Sequence, residues 1–324
     1  MSKAIVLRQN GGPEVLRLED VTVAAPGPGQ VKLRQTAIGV NFIDTYHRSG
    51  LYPVPKPFTP GMEAVGMIEA VGQGVTDLKV GDRVCYGNGP IGGYAEERLI
   101  PAASLVKVPA KLKDEHVAGM MLRGLTVWYL VRSLHKLQPG ETVLFHAAAG
   151  GVGLIFCQWA KAIGATVIGT VGDEAKAKLA IEAGCAHTIL YKSEDFVAKV
   201  KELTGGKGVS VVYDGVGKDT FFKSLDCLQK RGLMVSFGNA SGPPPAIEIG
   251  LLSAKGSLFV TRPTLADYTG TRAALEQGSA ELFDLVAKGA IEIDVGQTFS
   301  LEYAGHAQRD LEARKTTGST ILLA

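Results

Sequence analysis

The sequence predicts an α/β protein with two domains, one a doubly wound parallel sheet and the other a compact, barrel-like β domain. Three observations support this prediction. Short β-like runs separated by Gly and Pro fill residues 1 to about 110. Strands and helices alternate from residue 141 to about residue 259. A strand, a Gly-rich turn and a helix follow one another over residues 142–163, as at the start of a βαβ unit.

The first of these regions has the pattern of a small β domain. Its candidate strands are Ala4–Leu7, Val31–Thr36, Ala64–Val71 and Arg83–Tyr86. Turn signals lie between them, at residues 26–29, 80–82 and 87–90. From Asp114 to Leu134 the spacing of apolar residues becomes helical.

The alternating region has six candidate strands, which is the number in a doubly wound dinucleotide-binding sheet. They are Thr142–Phe145, Thr166–Val171, His187–Leu190, Val209–Tyr213, Gly232–Phe237 and Ser257–Val260. The predicted helices include Val152–Ile163, Glu174–Ala183, Ser193–Leu203 and Asp219–Leu228. After residue 265 we expect a helix over Thr271–Lys288 and strands at Ile291–Ile293 and Thr320–Leu323. This tail is expected to pack back on the first domain.

The Gly-rich turn predicts a dinucleotide site. In the G-x-G-x-x-G frame its three positions are Ala148, Gly150 and Gly153, so the first glycine is replaced by another small residue. Such a turn lets backbone N–H groups approach a pyrophosphate, and the dipole of the following helix favours negative charge there. The alternative is an ordinary α/β turn, but the strand that follows at the right distance favours the nucleotide site.

The charges after the second strand favour NADP(H) over NAD(H). NAD sites usually place Asp or Glu at the end of this strand, about 20 residues after the turn, to bind the ribose 2′-OH. Here Gly172 takes that place, Asp173 follows it, and Lys176 and Lys178 come within the next helix. A missing carboxylate beside an ammonium suits a 2′-phosphate. The alternative for Lys176 is a solvated helix lysine.

Composition narrows the class of protein. The 324 residues suffice for two cores, and a net charge of +2 without a basic block makes nucleic acid an unexpected partner. Residues 1–8 lack the apolar segment of a signal peptide, and polar residues interrupt the most apolar stretch, so we expect a cytoplasmic protein without a membrane span. The four cysteines lie far apart with no C-x-x-C pair, which predicts neither a disulfide framework nor a zinc site.

Several motifs together carry a family resemblance that spans essentially the whole chain. They are Gly140-Glu141 through Ala148-Ala149-Gly150-Gly151-Val152-Gly153 to Gln158 and Lys161, Pro57-x-x-Pro60-Gly61-x-Glu63-x-x-Gly66, Val80-Gly81-Asp82-Arg83-Val84, and Gly124-Leu125-Thr126-Val127-Trp128. This set resembles the zeta-crystallin-type quinone oxidoreductases of the medium-chain dehydrogenase/reductase superfamily. The resemblance implies a GroES-like catalytic domain over residues 1–125, completed by 265–324, and a Rossmann NADPH-binding domain over 126–264. It also implies NADPH-dependent reduction of quinones or activated enones by a homodimer or homotetramer.

Departures from the zinc enzymes of the same superfamily predict a metal-free site. Asn41 stands where those enzymes carry a catalytic Cys, and Met62 stands in place of the His before Glu63. A thioether is a poor ligand for zinc. Without a Lewis acid, alcohol dehydrogenation is not expected, whereas a conjugated acceptor such as a quinone needs less activation.

Neutral hydrogen-bond donors cluster in residues 41–52, a segment that faces the nicotinamide in the family. Asn41, Tyr46 and Tyr52 are the candidate catalytic residues. We expect at least one of them, directly or through water, to stabilise the oxyanion that forms as hydride reaches the acceptor. The alternative is that the tyrosines simply pack with a wet hydroxyl.

Further cofactor contacts follow from the resemblance. The expected cofactor-binding residues are Asn41, Thr126, Ala149, Gly150, Gly151, Val152, Gly153, Gly172, Lys176, Tyr191, Gly215, Phe237, Gly238, Asn239, Arg314 and Gly318. Several of these follow strand ends, where ligands of such sheets bind. Core packing is the alternative for Phe237, and tight-turn geometry is the alternative for the glycines.

Three functions stay open from the sequence. The first is an NADPH:quinone reductase. The second is an NADPH-dependent reductase of α,β-unsaturated carbonyls, including enoyl thioesters. The third is a nucleotide-binding protein with an RNA-binding or structural role, which the absence of a basic stripe disfavours.

Overall fold

A computed structural model describes all residues, 1–324. The chain divides into two compact units. Unit 1 contains Met1–Thr126, Thr269–Gly289 and Ile293–Ala324, and unit 2 contains Val127–Tyr268 and Ala290–Glu292. The boundaries expected from the sequence lie after residues 125 and 264. None of the helices is long and apolar enough to cross a lipid bilayer.

The first part of unit 1 is mainly β-structure. Its strands are β1 (Ser2–Val6), β2 (Arg17–Val21), β3 (Gln30–Val40), β4 (Ala64–Val71), β5 (Arg83–Tyr86), β6 (Glu97–Pro101) and β7 (Val106–Lys107). Its helices are α1 (Phe42–Ser49) and α2 (Asp114–Trp128), and a π-helical turn at Tyr129–Leu134 continues α2. The sequence did not predict α1, which lies within the candidate catalytic segment.

Unit 2 alternates strands and helices, as predicted. The strands are β8 (Thr142–His146), β9 (Thr166–Val171), β10 (His187–Leu190), β11 (Val209–Asp214), β12 (Leu228–Ser236) and β13 (Phe259–Thr261). The helices are α3 (Gly151–Ile163), α4 (Glu174–Glu182), α5 (Phe196–Leu203), α6 (Phe221–Asp226), α7 (Gly250–Ala254) and α8 (Leu265–Thr269). The chain ends with α9 (Arg272–Ala287), β14 (Val295–Ser300), α10 (Ala304–Glu312) and β15 (Ser319–Leu323).

The sheet of unit 2 is parallel throughout, with strand order β10-β9-β8-β11-β12-β13. Side chains of successive residues in β8 pack on opposite faces, since Leu144 lies in a core with residues of α5 and α6 while the Phe145 ring stacks on Phe156 of α3. Helices therefore cover both faces, and the predicted doubly wound α/β class is confirmed.

The sheet of unit 1 is built around the long strand β3. The order is β14-β15-β3-β4-β5-β7, and β6 also pairs with β3. β3 can hold three partners because its residues 30–34 pair with β6, its residues 31–38 pair with β4, and its residues 37–40 pair with β15. The pairing with β15 brings the C-terminal residues into the first domain, as expected from the sequence.

The predicted strand at Ile291–Ile293 is wrong, because these residues form a loop and the strand begins at Val295. Ile291 and Ile293 are buried and Glu292 between them is exposed, which imitates the alternation of a strand. The backbone N–H and C=O of Glu292 instead bond the side-chain amide of Gln158, at 2.7 and 3.0 Å. The Gln158 side chain thus makes the backbone hydrogen bonds that a neighbouring strand would make in a sheet.

Candidate functional site

The Gly-rich turn leads directly from β8 into α3. Gly150 is the N-cap of α3 and supplies no side chain to bond the first N–H groups, and the first turn contains no acidic residue. A helix N-terminus of this kind is open to an anionic ligand. A Cβ on Gly153 would lie 2.5 Å from the carbonyl oxygen of Ala148 and 2.6 Å from that of Ala147. Only glycine fits there without moving the turn, so these residues suit a pyrophosphate.

Two polar side chains and a helix N-terminus lie at the end of β9. Asp173 is the N-cap of α4, and its Oδ1 accepts a 2.9 Å hydrogen bond from the backbone N–H of Lys176. Its carboxylate therefore caps a helix. Space beside Gly172 is bordered by the Tyr191 hydroxyl and the Lys192 side chain, 3.4 and 3.7 Å from a Cβ built on the glycine. The structure thus brings Gly172 and Tyr191 together, and it adds Lys192, which the sequence analysis missed although it adjoins Tyr191.

The loops after β11 and β12 lie side by side. A Cβ on Gly215 would lie 3.1 Å from the Phe237 ring, and one on Gly238 would lie 2.5 Å from the carbonyl oxygen of Gly215. The Phe237 ring also lies 5.8 Å from the Phe145 ring. This contact agrees with core packing, the alternative role for Phe237. The structure places Asn239, which is buried, in the same loop.

Ser236, the last residue of β12, is a further candidate that the sequence analysis missed. Its Oγ is buried and has no hydrogen-bond partner. Buried hydroxyls are nearly always bonded, so an unbonded one at the ligand-binding edge of such a sheet suits a contact to a ligand. The sequence could have indicated Ser236, because it is a polar residue at the end of a buried strand.

In unit 1 the candidate catalytic segment is organised by α1. Tyr46 is buried within the helix, Tyr52 follows it, and their rings meet edge to face with centroids 5.2 Å apart. The backbone N–H of Tyr52 donates to the carbonyl of Tyr46 at 3.1 Å. The structure therefore brings the two tyrosines together. The helix ends at Gly50, which has a left-handed φ of 87°.

Asn41, the N-cap of α1, is fixed by buried carboxylates. Its side-chain Nδ2 donates to Glu63 Oε2 at 2.8 Å, and its backbone N–H donates to Asp44 Oδ2, also at 2.8 Å. The other amide contact of Nδ2 is the carbonyl of Gly39 at 3.5 Å. Both contacts of this NH₂ group are acceptors of the protein itself.

Burial shifts the protonation of both carboxylates. Asp44 is fully buried, which raises its pKa to about 7, although hydrogen bonds from the Asn41 backbone and the Tyr94 hydroxyl oppose the rise. Burial also raises the pKa of Glu63, against the lowering effect of the Arg123 guanidinium 3.4 Å away. Burial thus raises the pKa of both carboxylates that contact Asn41.

The same contacts test whether zinc would fit. Glu63 accepts hydrogen bonds from Asn41 and from the backbone N–H of Leu122, and it pairs with Arg123. A carboxylate surrounded by donors and a guanidinium is not available to a cation, and Asn41 and Met62 add no strong zinc ligand. No group of three or more His, Cys, Asp or Glu side chains has an arrangement that could hold a metal. The residues present do not fit a catalytic zinc.

The remaining predicted cofactor residues lie in unit 1. Thr126, in α2, donates its hydroxyl to the carbonyl of Leu122 at 2.7 Å. Arg314 and Gly318 lie between α10 and β15, with φ of 59° and 56°. A Cβ on Gly318 would lie 2.3 Å from Asp294, so tight packing is enough to require glycine there.

Comparison with known proteins identifies the family. The family model described as alcohol dehydrogenase GroES-like domain matches residues 27–110, and that described as zinc-binding dehydrogenase matches residues 151–282. A quinone oxidoreductase of Pseudomonas aeruginosa is 53% identical over 324 residues, which is the full length of both chains. The chain belongs to the quinone oxidoreductase family.

Solved structures agree with this family. The chain has a TM-score of 0.98 and 50% identity to Escherichia coli quinone oxidoreductase complexed with NADPH, over 99% of this chain and 100% of that one. The family also includes a neighbour with a different substrate in its name. A 2-haloacrylate reductase of Burkholderia is 50% identical over 100% of this chain and 99% of its own, and a 2-haloacrylate reductase structure has a TM-score of 0.88. The predicted family, fold class and oxidoreductase activity are confirmed.

Proposed function

We propose that this protein is an NADPH-dependent quinone reductase that works without zinc. The observation that carries the choice of cofactor is the end of β9, where Asp173 caps α4 and the space beside Gly172 is bordered by Tyr191 and Lys192. The adjacent carboxylate of Asp173 caps α4 through Oδ1, and hydroxyl and ammonium groups suit a phosphate. Full-length identity to named quinone oxidoreductases supports the choice of acceptor.

The two domains would divide the work. Residues 126–264 would bind the cofactor, with Gly150–Gly153 holding the pyrophosphate and Gly172, Lys176 and Tyr191 holding the 2′-phosphate. Residues 1–125 with 265–324 would form the catalytic domain. NADPH, when bound, supplies the hydride.

The acceptor gains negative charge on oxygen as it is reduced, and this chain must stabilise that charge without a metal. We assign this role to the hydroxyls of Tyr46 and Tyr52, whose rings lie together. Asn41, whose NH₂ group faces Glu63, would bind cofactor through its remaining polar atom. Proton transfer from a tyrosine, or from water held by one, would complete the hydroquinone.

The test is NADPH oxidation by the purified, chelator-treated protein with 1,4-benzoquinone, with NADH in parallel. We expect turnover with quinone, a preference for NADPH, and no effect of the chelator. Tight NADPH binding without quinone turnover would contradict the quinone assignment.

A second candidate is the reduction of α,β-unsaturated carbonyls, which the 2-haloacrylate reductase at 50% identity favours. Both reactions deliver hydride to a conjugated acceptor and leave negative charge on oxygen. Assays of 2-chloroacrylate and an uncharged enone beside benzoquinone, compared by kcat/KM, would rank the acceptors. A kcat/KM for 2-chloroacrylate above that for benzoquinone would make this candidate the better one.

We also propose that the protein is a cytoplasmic homodimer. β13 is an edge strand of the parallel sheet, and Phe259 on it is 60% exposed. Ile249, before α7, is 82% exposed. An apolar, unpaired sheet edge is a common surface for association between copies. Light scattering after gel filtration should give a dimer mass, and Phe259→Lys should shift it to the monomer.

A further inference from the structure

Ala147, the first residue of the Gly-rich turn, has a left-handed φ of 57°. This conformation is unfavourable for a residue with a Cβ and persists only where the surroundings hold it. Its backbone N–H contacts Thr170 Oγ1 at 3.4 Å, and the N–H of Ala148 donates to the carbonyl of Thr170 at 3.0 Å. The carbonyl of Ala147 accepts the N–H of Gly150 at 2.9 Å and borders Gly153. The conformation of Ala147 therefore sets the shape of the turn.

Thr170 is the first of four buried polar residues that form a series of side-chain contacts, each with the next. His146 Nδ1 lies 2.9 Å from Thr170 Oγ1, and His146 Nε2 lies 2.8 Å from Ser224 Oγ. Ser224 Oγ contacts Asp214 Oδ2 at 3.4 Å and the carbonyl of Thr220 at 2.8 Å. These four residues, Thr170, His146, Ser224 and Asp214, are between 0 and 2% exposed, and we call them the buried relay.

One arrangement of protons satisfies every atom of the buried relay. Burial lowers the pKa of His146, which keeps the imidazole neutral, with one donor and one acceptor. Thr170 Oγ1 accepts from the Ala147 N–H and can donate to Nδ1. The single O–H of Ser224 donates to the carbonyl of Thr220 at 2.8 Å, and its oxygen can accept from Nε2–H. The hydrogen bonds then run in one direction from the Gly-rich turn to Ser224, whose Oγ also contacts Asp214 Oδ2 at 3.4 Å.

The other end of the buried relay is the loop after β11. Asp214 Oδ1 accepts the backbone N–H groups of Val216 and Gly217, at 2.7 and 3.0 Å. This loop contains Gly215, one of the residues proposed to bind the cofactor. The buried relay thus contacts the backbone of both loops at the carboxyl edge of the sheet, where a ligand of this fold binds.

We propose that His146, Thr170 and Ser224 are positioning residues for the cofactor site, holding Ala147 left-handed and coupling the Gly-rich turn to the 214–217 loop. The inference rests on the proposed NADPH function and deepens it. The alternative is a polar cluster that only completes the core. Under that alternative Ala147 stays left-handed without the Thr170 hydroxyl, so removing the hydroxyl would not weaken NADPH binding.

The central experiment compares Thr170→Val, which removes the hydroxyl with little change of shape, with the double variant Thr170→Val/Ala147→Gly. The dissociation constant of NADPH is measured by fluorescence titration of the intact chain without acceptor. We expect Thr170→Val to weaken NADPH binding about tenfold, the loss of a hydrogen bond to a buried group. Glycine adopts positive φ freely, so Ala147→Gly should restore most of the affinity.

A second comparison tests the coupling. Thr170 and Ser224 are joined through His146, so Ser224→Ala should weaken NADPH binding, and Thr170→Val/Ser224→Ala should weaken it less than the product of the single effects. Tyr213→Phe is the matched control. It removes a buried hydroxyl whose 3.5 Å contact is the carbonyl of Leu130, a residue of neither loop, and should leave NADPH binding unchanged.

An affinity within twofold of the wild type in Thr170→Val would overturn the proposal, as would a loss that Ala147→Gly does not restore. If Thr170→Val does not fold, judged by thermal unfolding, His146→Asn replaces it. Asn keeps an acceptor for Thr170 but loses the Ser224 bond, so Thr170 is held less firmly against Ala147. NADPH binding should therefore weaken, and Ala147→Gly should restore most of it. Failure of the wild type itself to bind NADPH would instead contradict the proposed function.

Discussion

The Gly-rich turn of unit 2 and the α1 segment of unit 1 are built by opposite means. The turn has no side-chain cap and no charge in the first turn of α3, and its shape depends on backbone atoms packed around Gly153. The α1 segment depends on the carboxylates of Asp44 and Glu63, which contact Asn41 and whose pKa values are raised by burial. We therefore expect one added methyl group to disturb the turn. The stability of the α1 segment should instead depend on pH.

The largest expected effect is at Gly153. A Cβ there would lie within 2.6 Å of two carbonyl oxygens, so Gly153→Ala must displace the turn. The backbone N–H groups of the turn would then no longer be placed to bind a pyrophosphate, and we expect NADPH binding to become undetectable by titration. Gly150→Ala, whose Cβ would meet one oxygen at 3.2 Å, should lose much less. Equal losses in both variants would show that the turn is not held by this packing.

The next effect tests the donors of the α1 segment. Tyr46→Phe and Tyr52→Phe remove one hydroxyl each. The variant that lacks the oxyanion donor should lose about 100-fold in kcat while its NADPH affinity stays unchanged. Tyr303→Phe, at an exposed tyrosine, is the control. Full activity in both single variants and in their double variant would remove the tyrosines from the mechanism.

A smaller effect concerns the 2′-phosphate. Lys176→Ala should raise the KM for NADPH about tenfold and leave the KM for NADH unchanged, because an ammonium–phosphate hydrogen bond is worth roughly that factor. Lys178 is on the same helix and pairs with Glu182, so Lys178→Ala is the matched control. A selective rise in the KM for NADPH in both variants, or in neither, would contradict the role assigned to Lys176.

The smallest expected effect is on stability against pH. The pKa of Asp44 is raised in the folded protein from its ordinary value of 3.8 to about 7, so the folded chain holds a proton that the unfolded chain has lost. Stability should therefore fall as pH rises from about 4 to about 7, and Asp44→Asn should flatten this slope. Glu63, whose pKa is also raised, leaves a residual slope of the same sign. Urea unfolding between pH 5 and 8 measures both, and an equal slope in the variant would contradict the assignment.

The sequence predicted what depends on local pattern. Alternating apolar residues placed five of the six strands of unit 2 to within two residues of an end, as at Thr166–Val171, and the Gly-rich turn fixed the candidate cofactor edge. β12 was the exception, because it begins at Leu228, four residues earlier than expected. There the polar residues 229–231 break the apolar pattern although they continue the strand.

The parts that the sequence did not predict depend on contacts distant in sequence or on side-chain direction. The bond between Asn41 and Glu63 joins residues 22 apart, and that between Arg123 and Glu63 joins residues 60 apart. Asp173 was visible as an acid near the expected place, but its role as a helix cap depends on where its carboxylate points. No periodic pattern of residues indicates either kind of contact, so the sequence could not predict them.

The backbone at Gly172 has a consequence for how this enzyme could change. Its φ is not in the left-handed region, and a Cβ there would meet its nearest atom, the Tyr191 hydroxyl, at 3.4 Å, an ordinary contact. Nothing in the fold requires glycine at that position. An aspartate could enter without disturbing the strand, and its carboxylate would stand where NAD-binding sheets place theirs. During evolution, the proposed preference for a phosphorylated cofactor could then be reversed by one substitution, with the rest of the fold unchanged.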